Sequence, residues 1–460
     1  MKATDDRSRR KILLLLFVGV LMGALDIAVV GPALPAIRQS FGIDERAAAW
    51  LFTIYVLANL VGTPLMAKLS DRFGRRAVYV TDTALFGAGS LIVALAPSYG
   101  VLLVGRAVQG FGAGGIFPVA AAVIGDTFPP ERRGGALGLI GAVFGLAFLV
   151  GPMLGGVLLR FGWPWLFMVN LPIAVGVILG SLRLLPGARP AVDARFDWAG
   201  MAVLGAALTA LAYGVSSIDA QHFATSLLSG GVWPFLLIAA VLVPVFVVAE
   251  RHAADPVLRL SLFRSSQVGI TAGLAVGAGL GEAASVFVPA FLVSAFGVRT
   301  STASFMLLPV VVALAVGAPV WGRLLDRVGS RLVVLLSTAL IAAGMIVFAT
   351  LATGLPGYYA GAVLGGLGLA GLLGSSLRYL MLNATPVADR ASAQAALTIF
   401  MSVGQLLGGA AVGAIVASAG GGVPGFDRAF WVIGMVALAL ALVALGLKGR
   451  EEELAEVAPR

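Results

Sequence analysis

Fourteen stretches of about twenty apolar residues follow one another along this chain. That repetition excludes almost every fold except a bundle of membrane-spanning helices. The segments lie at 12–37, 47–67, 77–96, 100–124, 134–158, 164–184, 198–217, 231–249, 266–294, 303–322, 332–353, 357–381, 393–417 and 429–447. Hydrophobic residues make up 59% of the chain and charged residues 12%. Soluble domains run at about 45–50% and about 25%. The excess is too large for a water-facing core, so it must face lipid.

The charges that remain are unevenly placed. A net charge of +9 on a soluble protein would suggest a nucleic-acid partner. Here the loops explain it. With the N-terminus placed in the cytoplasm, 24 Lys and Arg fall in cytoplasmic segments. Five fall outside (Arg38, Arg46, Arg160, Arg299, Arg428) and two inside the membrane (Arg106, Arg378). This bias predicts cytoplasmic termini and no role in binding nucleic acid. The basic start (Lys2, Arg7, Arg9, Arg10, Lys11) runs into an apolar stretch reaching Ile37. That stretch exceeds the roughly 7–15 residues of a signal-peptide core, so it reads as an uncleaved first spanner. Cysteine is absent, which excludes disulfides and thiolate metal sites. The two histidines, His222 and His252, fall in a loop or at a helix end, so no metal centre or cofactor is expected.

The chain also repeats itself. Leu69, Asp71, Arg72, Gly74 and Arg76 recur as Leu324, Asp326, Arg327, Gly329 and Arg331, offset by 255. Gly110, Gly112 and Gly115 recur as Gly366, Gly368 and Gly371, offset by 256, and Gly151 and Gly156 as Gly408 and Gly413, offset by 257. A steady offset predicts two parallel six-helix halves, with substrate bound at their interface. The division expected is 1–185, an inserted pair of helices at 186–262, a second half at 263–450 and a tail at 451–460.

Ionisable groups inside spanners are costly and are functional candidates by default. Asp26 in the first spanner reads as a proton site or counter-ion, or else as a hydrogen-bonder between helices. Glu282 lies at Asp26 + 256, so the two acids are expected in related places facing a central cavity, their titrations coupled. Its alternative is a pairing with Arg378 or a backbone group. Arg106 either tunes a carboxylate through the cycle or holds helices in a fixed ion pair. Arg378 either gates the inner end or contacts an anionic group, or snorkels to the headgroups, which is the reading favoured here. Asp82 in the third spanner reads as structural.

Several motifs resemble the major facilitator superfamily, specifically its fourteen-spanner drug:proton antiporters. The loop after the second spanner matches the family pattern at Leu69, Asp71, Arg72, Gly74, Arg75 and Arg76, departing at Ala67. The fourth spanner matches at Arg106, Gln109, Gly110 and Gly112, and the fifth at Gly151, Pro152, Gly155 and Gly156, with Ala147 upstream. Leu25-Asp26 through Pro35, and Trp163 through Asn170 and Pro172, are similar to the group's first- and sixth-spanner motifs.

The resemblance implies an all-α integral membrane protein with two pseudo-symmetric six-helix bundles plus two inserted helices. It further implies a monomer in the bacterial inner membrane that exports small lipophilic, cationic compounds by alternating access, surrounded by membrane lipids and driven by protons. Asp26, Glu282 and Arg106 would couple protons to substrate. Asp71, Arg72, Arg75 and Asp126 would form a conformational latch, joined by Arg132 and Arg133, with Asp326, Arg327 and Arg331 as the second copy. Gly151, Pro152, Gly155 and Gly156 would serve packing and hinging. Export or flipping of a lipid or other amphiphile, its head held by Arg378, is the competing reading.

Two Gly-x-Gly-x-x-Gly runs, at Gly110 and Gly366, fit a dinucleotide-binding pattern but lie inside spanners with no preceding strand. They read as close-packing positions. The sequence holds neither a phosphate-binding Gly-x-x-x-x-Gly-Lys-Ser/Thr loop nor a nucleophile–base set, so the expected engine is an ion gradient and the protein is not expected to be an enzyme.

Overall fold

A computed structural model describes residues 6–43, 45–187, 197–218, 222–253, 256–298, 300–352 and 354–452. Lys2, Arg299 and the end of the expected tail, 453–460, lie outside the described residues, as do the side chains of Arg46 and Pro152.

The spanners form helices throughout. They are α1 (Asp6–Phe41), α2 (Glu45–Phe73), α3 (Arg75–Ala94), α4 (Tyr99–Thr127), α5 (Pro130–Leu158), α6 (Trp165–Met168 and Asn170–Leu184) and α7 (Trp198–Ser216). Then follow α8 (Trp233–His252), α9 (Ser266–Val286 and Val288–Phe296), α10 (Leu308–Val328) and α11 (Ser330–Thr350). The last three are α12 (Leu355–Gly371, continued by Leu377–Asn383), α13 (Arg390–Ser418) and α14 (Gly422–Ala444). Thirteen are long and apolar enough to cross a membrane by length and composition, and α5 is a further helix of 29 residues. Several run past their apolar segments: α1 begins at Asp6 and α2 ends at Phe73. Apolarity reports the lipid-facing length, whereas backbone hydrogen bonding carries the helix on into the polar interface.

Gly74 and Gly329 explain the conserved spacing of the repeat. Each is the single residue between two helices, with φ of 95° and 86°. A side chain would strain either turn. They reverse the chain at once, leaving Asp71 and Asp326 on the last turns of α2 and α10.

The glycine runs are packing surfaces. A Cβ at Gly114 would sit 2.6 Å from the Thr63 nitrogen of α2, and one at Gly112 would sit 2.6 Å from the Phe86 nitrogen of α3. In the second half Gly366 meets Val310 of α10 and Gly368 meets Ile341 of α11. Each run lets one central helix approach two neighbours at backbone distance. A neighbouring stretch of α12 widens into a π turn at Leu372–Ser376, a local irregularity that recurs at functional positions.

The first and last six spanners form two bundles, and α5 against α10 is a principal seam between them. A Cβ at Gly134 would sit 2.7 Å from the Gly322 carbonyl and one at Gly145 would sit 2.7 Å from the Ala315 nitrogen; Gly138 lies between them, against the Ala318 carbonyl. Gly138→Val is therefore expected to force α5 and α10 apart, an overpacking cost of about 1–3 kcal/mol. The check is alkylation of a cysteine placed at the buried Ala318. Its rate should rise in the Gly138→Val background, and an unchanged rate would contradict this account of the seam.

The inserted pair α7–α8 touches both bundles. Trp50 of α2 meets Tyr213 of α7 at 6.2 Å, and Tyr213 meets Phe235 of α8 at 4.4 Å. Leu57 and Leu60 of α2 pack on Ala212 of α7, with Leu406 of α13 against the same cluster. The segment after α8 is fastened to the other bundle by Arg259–Asp389 at 3.2 Å.

Candidate functional site

Asp26 and Arg106 meet in the interior of the first bundle, 80 residues apart in sequence. Arg106 Nη1 donates to Asp26 Oδ2 at 2.6 Å, and both side chains are fully enclosed. The rest of the shell comes from α4 itself and from α2, α3 and α6. Gln109 of α4 donates to Asp26 Oδ1 at 2.7 Å and Asn170 of α6 donates to the same oxygen at 3.2 Å. Both amides also donate to the Ser90 hydroxyl of α3, at 2.8 and 3.3 Å. Arg106 additionally donates to Gln109 Oε1 at 2.7 Å and, through Nε, to the Leu51 carbonyl of α2 at 3.2 Å. Its guanidinium stacks over Tyr55 at 4.3 Å and lies 5.8 Å from the Phe167 ring. An Arg–carboxylate pair survives out of water only with this many accessory bonds. Sequence reasoning named Asp26 and Arg106 but gave no role to Gln109, Asn170, Ser90 or Tyr55. Gln109 and Asn170 stood inside the fourth- and sixth-spanner motifs, which was the available signal.

Glu282 differs from its sequence expectation. It is half-buried on α9 and has no hydrogen bond or ion pair among the described residues. It does not pair with Arg378, and its surroundings are unlike those of Asp26, which is closed in by Arg106, Gln109 and Asn170. At the same offset, Ala362 and Gly365 stand where the first half has Arg106 and Gln109, so the repeat does not duplicate the partners of Asp26.

Arg378 does not snorkel. It is 5% exposed and turned inward from α12, with its guanidinium 3.8 Å from the centroid of the Phe117 ring on α4. Gln394 of α13 donates to the Arg378 carbonyl at 3.0 Å. The residue thus bridges the two bundles, stacked on an aromatic face.

The rim residues come together at the end of the molecule that holds the start of α1 and Arg450. Arg9 donates to the Thr127 carbonyl there at 3.1 Å, and Arg450 bonds the Asp326 carbonyl. Arg75 reaches Asp71, donates to Asp126 at 3.0 Å and donates across the seam to the Val387 carbonyl at 3.0 Å. Asp71 then accepts from the Ala391 and Ser392 nitrogens at 3.1 and 2.8 Å and from the Ser392 hydroxyl at 2.6 Å. It caps the first turn of α13, a helix of the opposite bundle. Asp326 does the same in mirror fashion, accepting from the Gly134 and Gly135 nitrogens of α5 at 2.9 and 2.8 Å. Each bundle therefore caps a helix of the other, where the partial positive charge of the helix start favours a carboxylate.

The remaining latch candidates divide. Arg390, not singled out in the sequence, donates to Asp126 at 2.8 Å and to the Gly125 carbonyl at 2.6 Å. Arg133 donates to Asn383 at 2.7 Å, also across the seam, while Arg132 bonds Asp6 within its own bundle. Arg72 lies 5.6 Å from the Phe73 ring. Arg327 and Arg331 are exposed and make no hydrogen bond or ion pair among the described residues. The second copy is reduced for a plain reason: Ser330 stands where the first copy has Arg75. Of the packing glycines, Gly151 lies against Ala28 of α1, with a Cβ there 2.5 Å from its methyl; Gly156 faces open space, and Gly155 is buried in the last turn of α5.

The comparisons agree with this architecture. A protein 32% identical over 410 residues, 88% of this chain and 79% of the relative, is an uncharacterized MFS-type transporter, YfiU, of Bacillus subtilis. Multidrug resistance protein 3 of the same organism is 28% identical over 346 residues, covering 75% and 67% of the two chains. Among solved structures, the human organic anion transporter MFSD10 (TETRAN) superposes with a TM-score of 0.71 at 18% identity, over 95% of this chain and 99% of that one. The family model described as Major Facilitator Superfamily matches residues 16–298 and 271–459, and the chain belongs to that superfamily.

Proposed function

We propose that this multi-pass membrane protein is a proton-coupled exporter of lipophilic cations. In this reading its termini are cytoplasmic and it resides in the bacterial inner membrane. The observation that carries the proposal is the Asp26–Arg106 pair, sealed in an apolar bundle and held by Gln109 and Asn170. A proton delivered to Asp26 removes the charge that Arg106 balances, so proton binding and helix packing are linked. Glu282, half-buried and without a hydrogen-bond or ion-pair partner among the described residues, supplies the negative centre for a cationic cargo.

The rim clamps account for the alternation. Asp71 and Asp326 hold the bundles together at the cytoplasmic end, which leaves the opposite end as the one that opens in this state. Rocking the bundles breaks both caps and exposes the cavity to the cytoplasm. Protons falling inward through the membrane potential supply about 2.3 kcal/mol per charge per 100 mV. Relatives named for multidrug resistance support drug-like cargo, and transport rather than catalysis is the activity the family implies. An amphiphile held by Arg378 has less support, because that guanidinium is covered by Phe117.

The test uses inside-out vesicles with an acid interior and a fluorescent lipophilic cation. Gradient-dependent uptake is expected for the wild type and not for Asp26→Asn. No uptake by the wild type would overturn cation export and direct attention to neutral amphiphiles and lipids.

A further inference from the structure

Asp82 reads from the sequence as a structural residue, and its surroundings are unusual for one. It lies on α3, fully enclosed at 0% exposure, and neither carboxyl oxygen has a hydrogen-bond partner. The pocket is shaped around it. Gly115 of α4 presses its backbone against the carboxyl, where a Cβ would land on the oxygen; that same Cβ would lie 2.6 Å from Met66 Cβ of α2. Gly112 of α4 faces the Asp82 carbonyl. The titratable group beside it is Tyr79, one turn away, whose hydroxyl is also buried and unpartnered and lies against Gly19 of α1. Among the described residues no Lys, Arg or His bonds to Asp82. A lone ionised carboxylate in such a place is prohibitively costly, whereas a neutral carboxylic acid is tolerable.

Its position on α3 is equally informative. The same helix bears Arg75, which belongs to the rim clamps, and Ser90, which belongs to the Asp26 shell. Asp82 stands seven residues from one and eight from the other, about 10 and 12 Å of helix rise. On the α2 side the pocket is bounded by Met66. The next residue, Ala67, is buried with Ala122 against Ala391 and Ala395 of the opposite bundle. Withdrawal of that bundle would uncover Ala122 and Ala67, the latter one residue along α2 from the Met66 that borders the Asp82 pocket.

We propose that Asp82 is a second proton-binding site of the first bundle, loaded in the clamped state and emptied when the clamps open. Its O–H bond then breaks and the proton passes to water at the opened end. This rests on the proton-coupled reading above, and it adds a proton-carrying group outside the Asp26 shell.

The experiment compares wild type with Asp82→Asn, a neutral near-isostere. Difference infrared spectra of the purified protein should show a protonated-carboxyl C=O band that Asp82→Asn lacks. In vesicles Asp82→Asn should still take up substrate, with the protons moved per substrate reduced by one and the pH profile flattened. Identical spectra would overturn the proposal by showing that Asp82 holds no proton. A missing band together with unchanged proton stoichiometry and pH profile would overturn its part in the cycle. Loss of gradient-driven uptake in the wild type itself would remove the transport reading, a result distinct from either.

Discussion

Asp26→Ala is expected to be the most damaging single change in the molecule, lowering stability by about 3–5 kcal/mol, the cost of stranding one member of a buried pair. Arg106→Met should cost less. The asymmetry follows from chemistry. Without Asp26 the Arg106 guanidinium keeps its charge, because arginine does not release its proton in proteins. Only the carbonyl of Leu51, the Gln109 oxygen and the aromatic faces remain to it. Without Arg106, Asp26 can take up a proton and keep its bonds to Gln109 and Asn170. Asp26→Asn combined with Arg106→Gln removes both charges and should recover most of the stability, although coupling to the gradient stays lost. Thermal unfolding of these three variants, the single changes Asp26→Asn and Arg106→Gln, and the wild type gives the order directly. A pair that contributes nothing would give equal, small shifts in all of them, and additive single changes would show that the two residues do not interact.

Asp71→Asn together with Asp326→Asn is expected to move the equilibrium toward the state open at the clamped end. Each carboxylate caps a helix of the other bundle through two backbone nitrogens. An amide offers one acceptor oxygen and turns an N–H toward a donor. At about 1–2 kcal/mol per cap, the double change shifts the balance by about 2–4 kcal/mol. Complete inversion of a 1:99 population needs about 5.5 kcal/mol, so a mixed population is the expected result. The absence of cysteine makes the readout simple. A cysteine at Ala395, buried beside Ala67, Ala122 and Ala391, should be alkylated slowly in the wild type and faster in the double variant. Equal rates would mean that the caps are incidental to the closed state.

Some of this was legible in one dimension. Apolar runs fix helices because, in lipid, each backbone must satisfy its own hydrogen bonds. The sequence repeat carried the two-bundle plan, and the cost of a buried charge singled out Asp26 and Arg106. The offset aligned Glu282 with Asp26 in the sequence, but it did not extend to environment. Asp26 is completed by residues from α3, α4 and α6, and nothing in the spacing of Glu282 announces that it makes no such bonds among the described residues. Arg378 was judged by depth alone, and depth does not say that Phe117 waits across the seam. Arg390 and Ser392 stand just ahead of the 393–417 apolar run, and nothing in that run says that α13 begins beside Asp71.

By itself the sequence determined the number of spanners, their parallel repeat, their boundaries to within a turn or two, and which charges would be expensive. Those properties depend on each segment and its solvent. Only the tertiary structure decided which charges are paired, which acid is left alone, and that the inserted helices lie along both bundles. Those outcomes depend on groups such as Asp71 and Ser392, 321 positions apart, brought within hydrogen-bonding distance by helix packing that glycine and alanine backbones permit.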